Sequence, residues 1–280
     1  MTLNPLIITA ACGQAKPPQA NATPDTVEDV VATVVEAAKA GAAVAQIRAP
    51  SKPDPVTGRP RTDLERWKAM VSGIREACDI LIHAGTAAME IDRRIEMIET
   101  VRPDMASFLL GHHGIVVRGH EHASLRTRAD SLKVVKGHLR AAIKPDFEVF
   151  HTGHVRNLEF LLGEVSLPNP LAITLFFGWD GGEWSPPAVE ELLHRVRILP
   201  AGAVWSITTT GAEQTIMHAL AIARGGHVRA GLGDYPYYNE DVLGKGSGQF
   251  VARVVRLAEE LNRPVATPAE AARILGVSRS

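Results

Sequence analysis

Arg48, Glu148, Arg229 and Asp234 each lie in or directly after a short apolar run: Ala43-Val-Ala-Gln-Ile-Arg48, Phe147-Glu-Val-Phe150 and His227-Val-Arg-Ala-Gly-Leu-Gly-Asp234. A charge among apolar neighbours is costly unless it is paired. Two guanidiniums and two carboxylates with that need suit an active site more than a structural scaffold. Gln46 and Arg48 are two residues apart, so in a strand both side chains leave from one face. A guanidinium fork matches a carboxylate well, which makes Arg48 a candidate anchor for an acidic ligand. Histidines form a second set. His83, His112, His113 and His151 fall near the ends of consecutive apolar runs, with Glu148 close to the last, and imidazole with carboxylate is a metal-binding combination. Taken singly, any of these residues is more often a hydrogen-bonded part of a core.

These residues need elements to position them. Eight apolar runs, several rich in β-branched residues, read as buried parallel strands near Leu6–Ala10, Ala43–Arg48, Ile80–His83, Met105–Leu110, Phe147–Phe150, Leu171–Phe176, Val204–Thr208 and His227–Leu232. Helical periodicity lies between them, as in Val27, Val30, Val31, Val34, Val35 and Ala38. Thr23-Pro24 and Ser185-Pro186 read as helix starts. Lys39-Ala-Gly41 and Arg224-Gly-Gly226 read as exits, and Thr267-Pro-Ala-Glu270 as a capping box. The expected fold is α/β: one TIM (β/α)8 barrel over residues 1–280 with a short extra C-terminal helix. The alternative is an open doubly wound sheet, but no G-x-G-x-x-G follows the first strand and no P-loop occurs.

Barrel chemistry sits at the C-terminal strand ends. There the chain offers, strand by strand, Cys12, Gln14 and Lys16; Gln46 and Arg48; His83 and Thr86; His112 and His113; Glu148, His151 and His154; Trp179, Asp180 and Glu183; Ser206 and Thr208 to Thr210; and Arg229 with Asp234. The loop Ser51–Asp63, rich in proline and charge, would overhang that face, and the segment Gly111–His122 reads as a loop.

Bulk composition narrows the class. The chain has 280 residues, 45% of them hydrophobic, and a formal net charge of -1. That charge gives no electrostatic case for nucleic acid or an anionic membrane. Cys12 and Cys78 are too few for a disulfide framework. No basic and apolar leader opens the chain, and no apolar run nears the roughly 20 residues of a spanning helix. A cytoplasmic location is the expectation.

With those residues assembled, the chain resembles the β-keto acid cleavage enzyme family. The likeness runs over nearly the whole length. It rests on Pro5-Leu-Ile-Ile-Thr-Ala-Ala, Glu36-Ala-Ala-Lys-Ala-Gly-Ala, Arg102-Pro-Asp-Met-Ala-Ser, Pro145-Asp-Phe-Glu-Val-Phe, Gly225-Gly-His-Val-Arg-Ala-Gly-Leu-Gly-Asp and the ending from Arg263-Pro-Val-Ala-Thr-Pro. The resemblance implies a TIM barrel, a homo-oligomer, and cleavage of a small β-keto acid with acetyl-CoA as co-substrate, giving acetoacetate and a new CoA ester. It also implies a zinc held by His-x-His at the end of the second strand and a glutamate on the eighth, with an Arg–Asp pair for enolate chemistry.

Position by position, Arg229 and Asp234 match that pair and Glu148 matches a glutamate on the fifth strand. The metal ligands do not match: the three positions hold Gln46, Arg48 and Gly233. The family's serine after the third strand aligns with Gly85, with Thr86 beside it as a substitute; its glutamate after the first strand falls near Gln14 to Lys16, and its aspartate after the fifth is His151. A guanidinium has no lone pair for a metal and a glutamine oxygen is a weak ligand. Three readings follow. One is a metal-independent enzyme in which Arg48 and Gln46 bind substrate, Asp234 is the base, and Arg229, Glu148 and Thr86 support it. The second is a non-catalytic homologue that binds an acidic metabolite. The third is the family reaction with a metal moved to His83, His112, His113 and His151.

Overall fold

The computed structural model describes residues 3–13, 24, 26–49, 63–86, 89–117, 120–179 and 182–278. Gln14, Lys16, Thr23, Asp180 and all of the Ser51–Asp63 loop except Asp63 lie outside those residues. In chain order the elements are β1 (Ile8–Ala11), α1 (Val27–Lys39), β2 (Val44–Ile47), α2 (Leu64–Ala77), β3 (Leu81–Ala84), α3 (Ile91–Val101) and β4 (Met105–Leu109). There follow β5 (His113–Val117), β6 (His120–Ser124), α4 (Arg128–Ala141), β7 (Lys144–Val149), α5 (Thr152–Glu164), β8 (Ala172–Phe177), α6 (Val189–Ile198) and β9 (Val204–Thr209). The chain ends through α7 (Gln214–Ala223), β10 (His227–Ala230), β11 (Tyr237–Asn239), β12 (Val242–Leu243), α8 (Ser247–Glu260) and α9 (Pro268–Leu275).

Eight parallel strands close on themselves in the order β1-β2-β3-β4-β7-β8-β9-β10, with β10 pairing back to β1 through Thr9↔Arg229. This is the expected TIM barrel, and each expected strand is present with its ends moved by a few residues. The largest shift is in β7, which starts at Lys144 although Pro145 and two charges obscure it. Helices flank the strands because each has one apolar face: α1 buries Val30, Val34 and Ala37 at three- and four-residue spacing. Its cap is Thr26, in a reciprocal box with Asp29, not Thr23-Pro24. Ser185-Pro186 is not a helix start either. Ser185 bridges to Phe177, and α6 begins after Ala188 with no side-chain cap. The Thr267–Glu270 box does open α9, with Pro268 in its first turn.

Two antiparallel hairpins interrupt the repeat on the C-terminal side of the strands. The pair β5–β6 follows β4, and β11–β12 follows β10. The segment expected as a loop at Gly111–His122 is therefore mostly a hairpin. Its backbone is tied to the loop after β8, since Glu183 N donates to the Gly114 carbonyl and Gly114 N donates to Glu183 Oε2 at 2.9 Å.

The opposite end of the barrel is plugged. Ala271, Ala272, Ile274 and Leu275 of α9 pack with Ile7, Val44, Leu81 and Met105 in one apolar cluster. Between that plug and the mouth lies a lumen cavity of about 30 Å³, bounded by Leu275 on one side and by His83, Asp146 and Arg229 on the other. Access to the interior is therefore from the C-terminal strand ends. Among the described residues no helix is long and apolar enough to cross a membrane.

Candidate active site

Asp234 is the centre of the site. It sits in the turn after β10, where Asp234 N donates to the Gly231 carbonyl. Gly231 has φ 149 and runs against β1, so that a Cβ there would lie 2.6 Å from the Ala11 carbonyl oxygen. Only glycine suits both the dihedral and the approach. The turn folds the carboxylate back onto Arg229 of the strand it has just left. Arg229 donates from Nε to Oδ2 at 2.7 Å and from Nη2 to Oδ1 at 2.6 Å. Both side chains are buried, Arg229 at 1% exposure and Asp234 at 6%. Asp234 raises the Arg229 pKa against the opposing pull of burial.

Two further donors reach the same carboxylate. Thr208 Oγ1, from the end of β9, donates to Oδ2 at 3.0 Å. Arg48, just beyond β2, donates from Nη2 to Oδ1 at 3.3 Å and from Nη1 to the Gly233 carbonyl at 2.9 Å. The Arg48 side chain keeps 31% exposure, so it stands at the mouth while Arg229 lies beneath.

Two glycines make room for Arg48 and Gln46. A Cβ on Gly85 would lie 2.2 Å from Gln46 Nε2 and 2.8 Å from Arg48 Cγ, and a Cβ on Gly13 would lie 3.1 Å from Arg48 Cγ. A side chain at position 85 is thus sterically opposed, because the glutamine and arginine occupy that space. Gln46 is fully buried with neither amide atom hydrogen-bonded. Such a group normally costs about 1–3 kcal/mol, which marks it as a place for a bound polar group. Glu148 is buried with Oε2 unpartnered, and its charge acts on both Arg48 and Arg229. Thr86 is buried and its hydroxyl donates to the Ser107 carbonyl at 3.0 Å, so that proton is already committed.

The structure therefore brings Arg48, Arg229, Asp234 and Thr208 into contact and sets Gln46 against the Arg48 side. The four histidines considered as a moved metal site do not converge on one point. His83 faces the lumen, with Nε2 3.4 Å from Ser107 Oγ and 3.6 Å from Asp146 Oδ2. His112 Nδ1 accepts from Arg126 N. His113 stacks on Phe150, with ring centroids 4.5 Å apart. His151 packs against His154 and reaches the His112 carbonyl at 3.5 Å. Among the described residues no three His, Cys, Asp or Glu side chains converge as metal ligands. The zinc that the resemblance implies does not fit its own positions either: a guanidinium on the Gly233 carbonyl stands where ligands would be needed.

One buried titratable group beneath the site was not singled out in the sequence. Asp146 on β7 is buried, accepts from Thr174 Oγ1 at 2.8 Å, and is pushed up to about 7 by burial and by the nearby Glu148 charge. Its neighbour His83 is pushed down to about 3 by burial, reinforced by Arg229 and Arg48, so it is neutral and the contact is not an ion pair at neutral pH. The signal was the i, i+2 spacing of Asp146 and Glu148, which puts both on the lumen face. Aromatic side chains form the remaining wall: Phe150, Phe176 and Trp184 pack together, and Arg229 lies over the Phe176 ring at 5.3 Å.

Comparison with known proteins bears on this site. A family model described as beta-keto acid cleavage enzyme matches residues 5–277. The chain is 32% identical over 280 residues to a 3-keto-5-aminohexanoate cleavage enzyme of Acetoanaerobium sticklandii, covering 98% of this chain and 99% of that relative. It is 27% identical to a 3-oxoadipate:acetyl-CoA acetyltransferase of Cupriavidus necator, over 98% of this chain and 95% of the relative. A solved ternary complex of ObcA with a C4-CoA adduct and oxalate has the same fold, at a TM-score of 0.71 and 16% identity over 91% of this chain and 68% of that one.

Proposed function

The chain belongs to the beta-keto acid cleavage enzyme family, and from that premise we propose that it exchanges acyl groups between a small β-keto carboxylate and acetyl-CoA, with Arg48 holding the acid where the resemblance implies a metal. The observation that carries this reading is the placement of Arg48. Its guanidinium stands at the mouth, about one-third exposed, on the Asp234 carboxylate and the Gly233 carbonyl. The exchange balances: R–CO–CH2–COO⁻ and acetyl-CoA give acetoacetate and R–CO–CoA.

Each side chain has a part in it. Arg48 grips the substrate carboxylate as a fork. Asp234 takes the proton from the carbon between the keto and carboxylate groups, and the C–H electron pair becomes the enolate. Arg229 holds Asp234 in place from beneath. Negative charge on the keto oxygen needs donors that are not already spent. Gln46 Nε2 and Arg229 Nη1 are both buried and unpartnered, which favours them over the committed hydroxyl of Thr86. Glu148 supports the site through its charge. Acetyl-CoA is the co-substrate, as it is in the name of the Cupriavidus relative. The test is a panel of β-keto acids incubated with acetyl-CoA, with new CoA esters resolved by mass spectrometry. Turnover lost in Asp234→Asn supports the reading; a panel in which no β-keto acid yields a CoA ester sinks it.

A further inference from the structure

An ionised carboxylate offers about four lone-pair positions. Among the described residues, Asp234 Oδ1 takes Arg229 Nη2 and Arg48 Nη2, while Oδ2 takes Arg229 Nε and Thr208 Oγ1. A carboxylate so occupied has no position left for a substrate proton, and hydrogen bonds to the charged form weaken it as a base. One donor has to leave before it can act. Three are poor candidates: Arg229 is bidentate at 2.6 and 2.7 Å and almost fully buried, and Thr208 is buried at the end of a barrel strand. Arg48 is the fourth. Its bond to Asp234 is the longest of the set at 3.3 Å, its side chain is 31% exposed, and its other contact is a neutral carbonyl.

We propose that Arg48 masks Asp234 in the ligand-free protein and that a carboxylate ligand unmasks it, by drawing the guanidinium off Oδ1. The device rests on the reading of Asp234 as the base, and it adds that the substrate's own carboxylate switches that base on. A competing carboxylate replaces a single 3.3 Å contact with a bidentate one, so the transfer conserves Arg48's charge pairing. It takes one charged donor off Oδ1, which strengthens the carboxylate as the base for the proton on the adjacent carbon. Molecules lacking a carboxylate leave the mask in place, which makes the gate a specificity filter for acids. Arg48 is then both a substrate anchor and a positioning residue for the base.

The test splits the substrate in two. A methyl ketone such as acetone supplies the carbon acid, and formate supplies the carboxylate. The readout is deuterium uptake into the ketone from heavy water, followed by NMR with the intact protein. In wild type, saturating formate raises the exchange rate by at least about tenfold over equimolar chloride, since one charge-assisted hydrogen bond is removed from the base. In Arg48→Gln the exchange is raised without formate and does not respond to it. Arg48→Lys restores part of the formate response. Asp234→Asn shows no exchange under any condition. Wild-type exchange that is equal with formate and chloride, or absent with both, overturns the gate. Cleavage of whole β-keto acids with acetyl-CoA is measured separately, so loss of the gate is distinguishable from loss of the enzymatic reading.

Discussion

Gly85→Ala tests whether the replacements at positions 46, 48 and 85 form one packed unit. The backbone at Gly85 is not left-handed, so alanine meets no dihedral penalty, and the whole effect comes from neighbours. Its Cβ would fall 2.2 Å from Gln46 Nε2 and 2.8 Å from Arg48 Cγ. Each side chain has to withdraw by roughly an ångström to reach ordinary contact. Arg48 has solvent to move into, but Gln46 is fully buried. Overpacking of this kind costs about 1–3 kcal/mol. Gln46→Ala alone is close to neutral or mildly stabilising: the one lost methylene costs roughly 0.8 kcal/mol, and removal of two unpartnered buried amide atoms offsets about 1–3 kcal/mol. In the double variant the Nε2 clash no longer exists. Its stability therefore matches Gln46→Ala, and the coupling energy is about 1–2 kcal/mol. Urea titrations followed by tryptophan fluorescence supply the four free energies. Effects that add to within about 0.5 kcal/mol would refute the packed unit, because independent sites behave that way.

Other perturbations follow from the same geometry. Asp234→Asn is expected to lower any CoA-ester formation by at least about a hundredfold, while Arg229→Met, which leaves a buried carboxylate short of its main partner, costs about 3–5 kcal/mol in unfolding free energy; a fully stable Arg229→Met variant would contradict the ion pair. Acid should destabilise the fold steeply. Burial pushes His83, His218 and His227 down to about 3, and His138 and His154 to about 4, so between about pH 6.5 and 4 the unfolded chain binds protons that the folded one does not. Stability is thus full above about 6.5 and falls as pH drops, by roughly 2 kcal/mol per histidine at pH 5. Asp146, raised to about 7, acts in the opposite direction between about pH 4 and 7, leaving a net uptake on unfolding of about three to four protons; a melting temperature that is flat from pH 7 to 5 would exclude this. Finally, Arg48→His with Gly233→Glu should still fail to hold stoichiometric zinc after dialysis, because a Cβ at 233 lies 3.0 Å from the Ala11 carbonyl oxygen and 3.1 Å from Gly13 N. One equivalent by elemental analysis would show that β1 yields.

The barrel was legible because its strands are apolar on both faces and its helices on one. Alternation at Gln46-Ile-Arg48 correctly placed two polar side chains on the lumen side. Starts and turns were less legible, since competing signals lie within a few residues of one another. Thr26-x-x-Asp29 outcompetes Thr23-Pro24 because it satisfies two backbone donors reciprocally. The β5–β6 hairpin escaped notice because its six histidine, glycine and glutamate positions dilute a β-branched core of three residues. The site's supporting features were not legible at all. Nothing in Gly13 or Gly85 as residues announces that Arg48 leans on both, because that contact joins three strand ends in space. Nor does the sequence say that Asp146 is raised to about 7, which depends on depth in the lumen and on the nearby Glu148 charge.

The replacements at the mouth preserve one quantity that the chemistry needs. In the pattern the resemblance implies, a divalent cation with one coordinating glutamate contributes a single net positive charge beside the Arg–Asp pair. Here Arg48 with Gly233 contributes the same single positive charge, and His-to-Gln exchange at position 46 is neutral. The field felt at Asp234 and at a substrate oxygen therefore keeps its sign and its order of magnitude, although a guanidinium spreads charge over a plane and polarises a carbonyl less than a metal ion does. Geometry changes more than charge. A metal draws two substrate oxygens to one point, whereas the fork of Arg48 aligns two oxygens of one carboxylate side by side. The keto oxygen then needs its own donor, and the buried, unpartnered Gln46 Nε2 is placed on the same strand two residues away. On the proposed function, Arg48 takes the acid and Gln46 takes the ketone. Gln46→Ala should accordingly lower kcat by about 10²–10³ with KM for the acid little changed, whereas Arg48→Gln should raise KM for the acid. The reverse assignment of effects would overturn this division of labour.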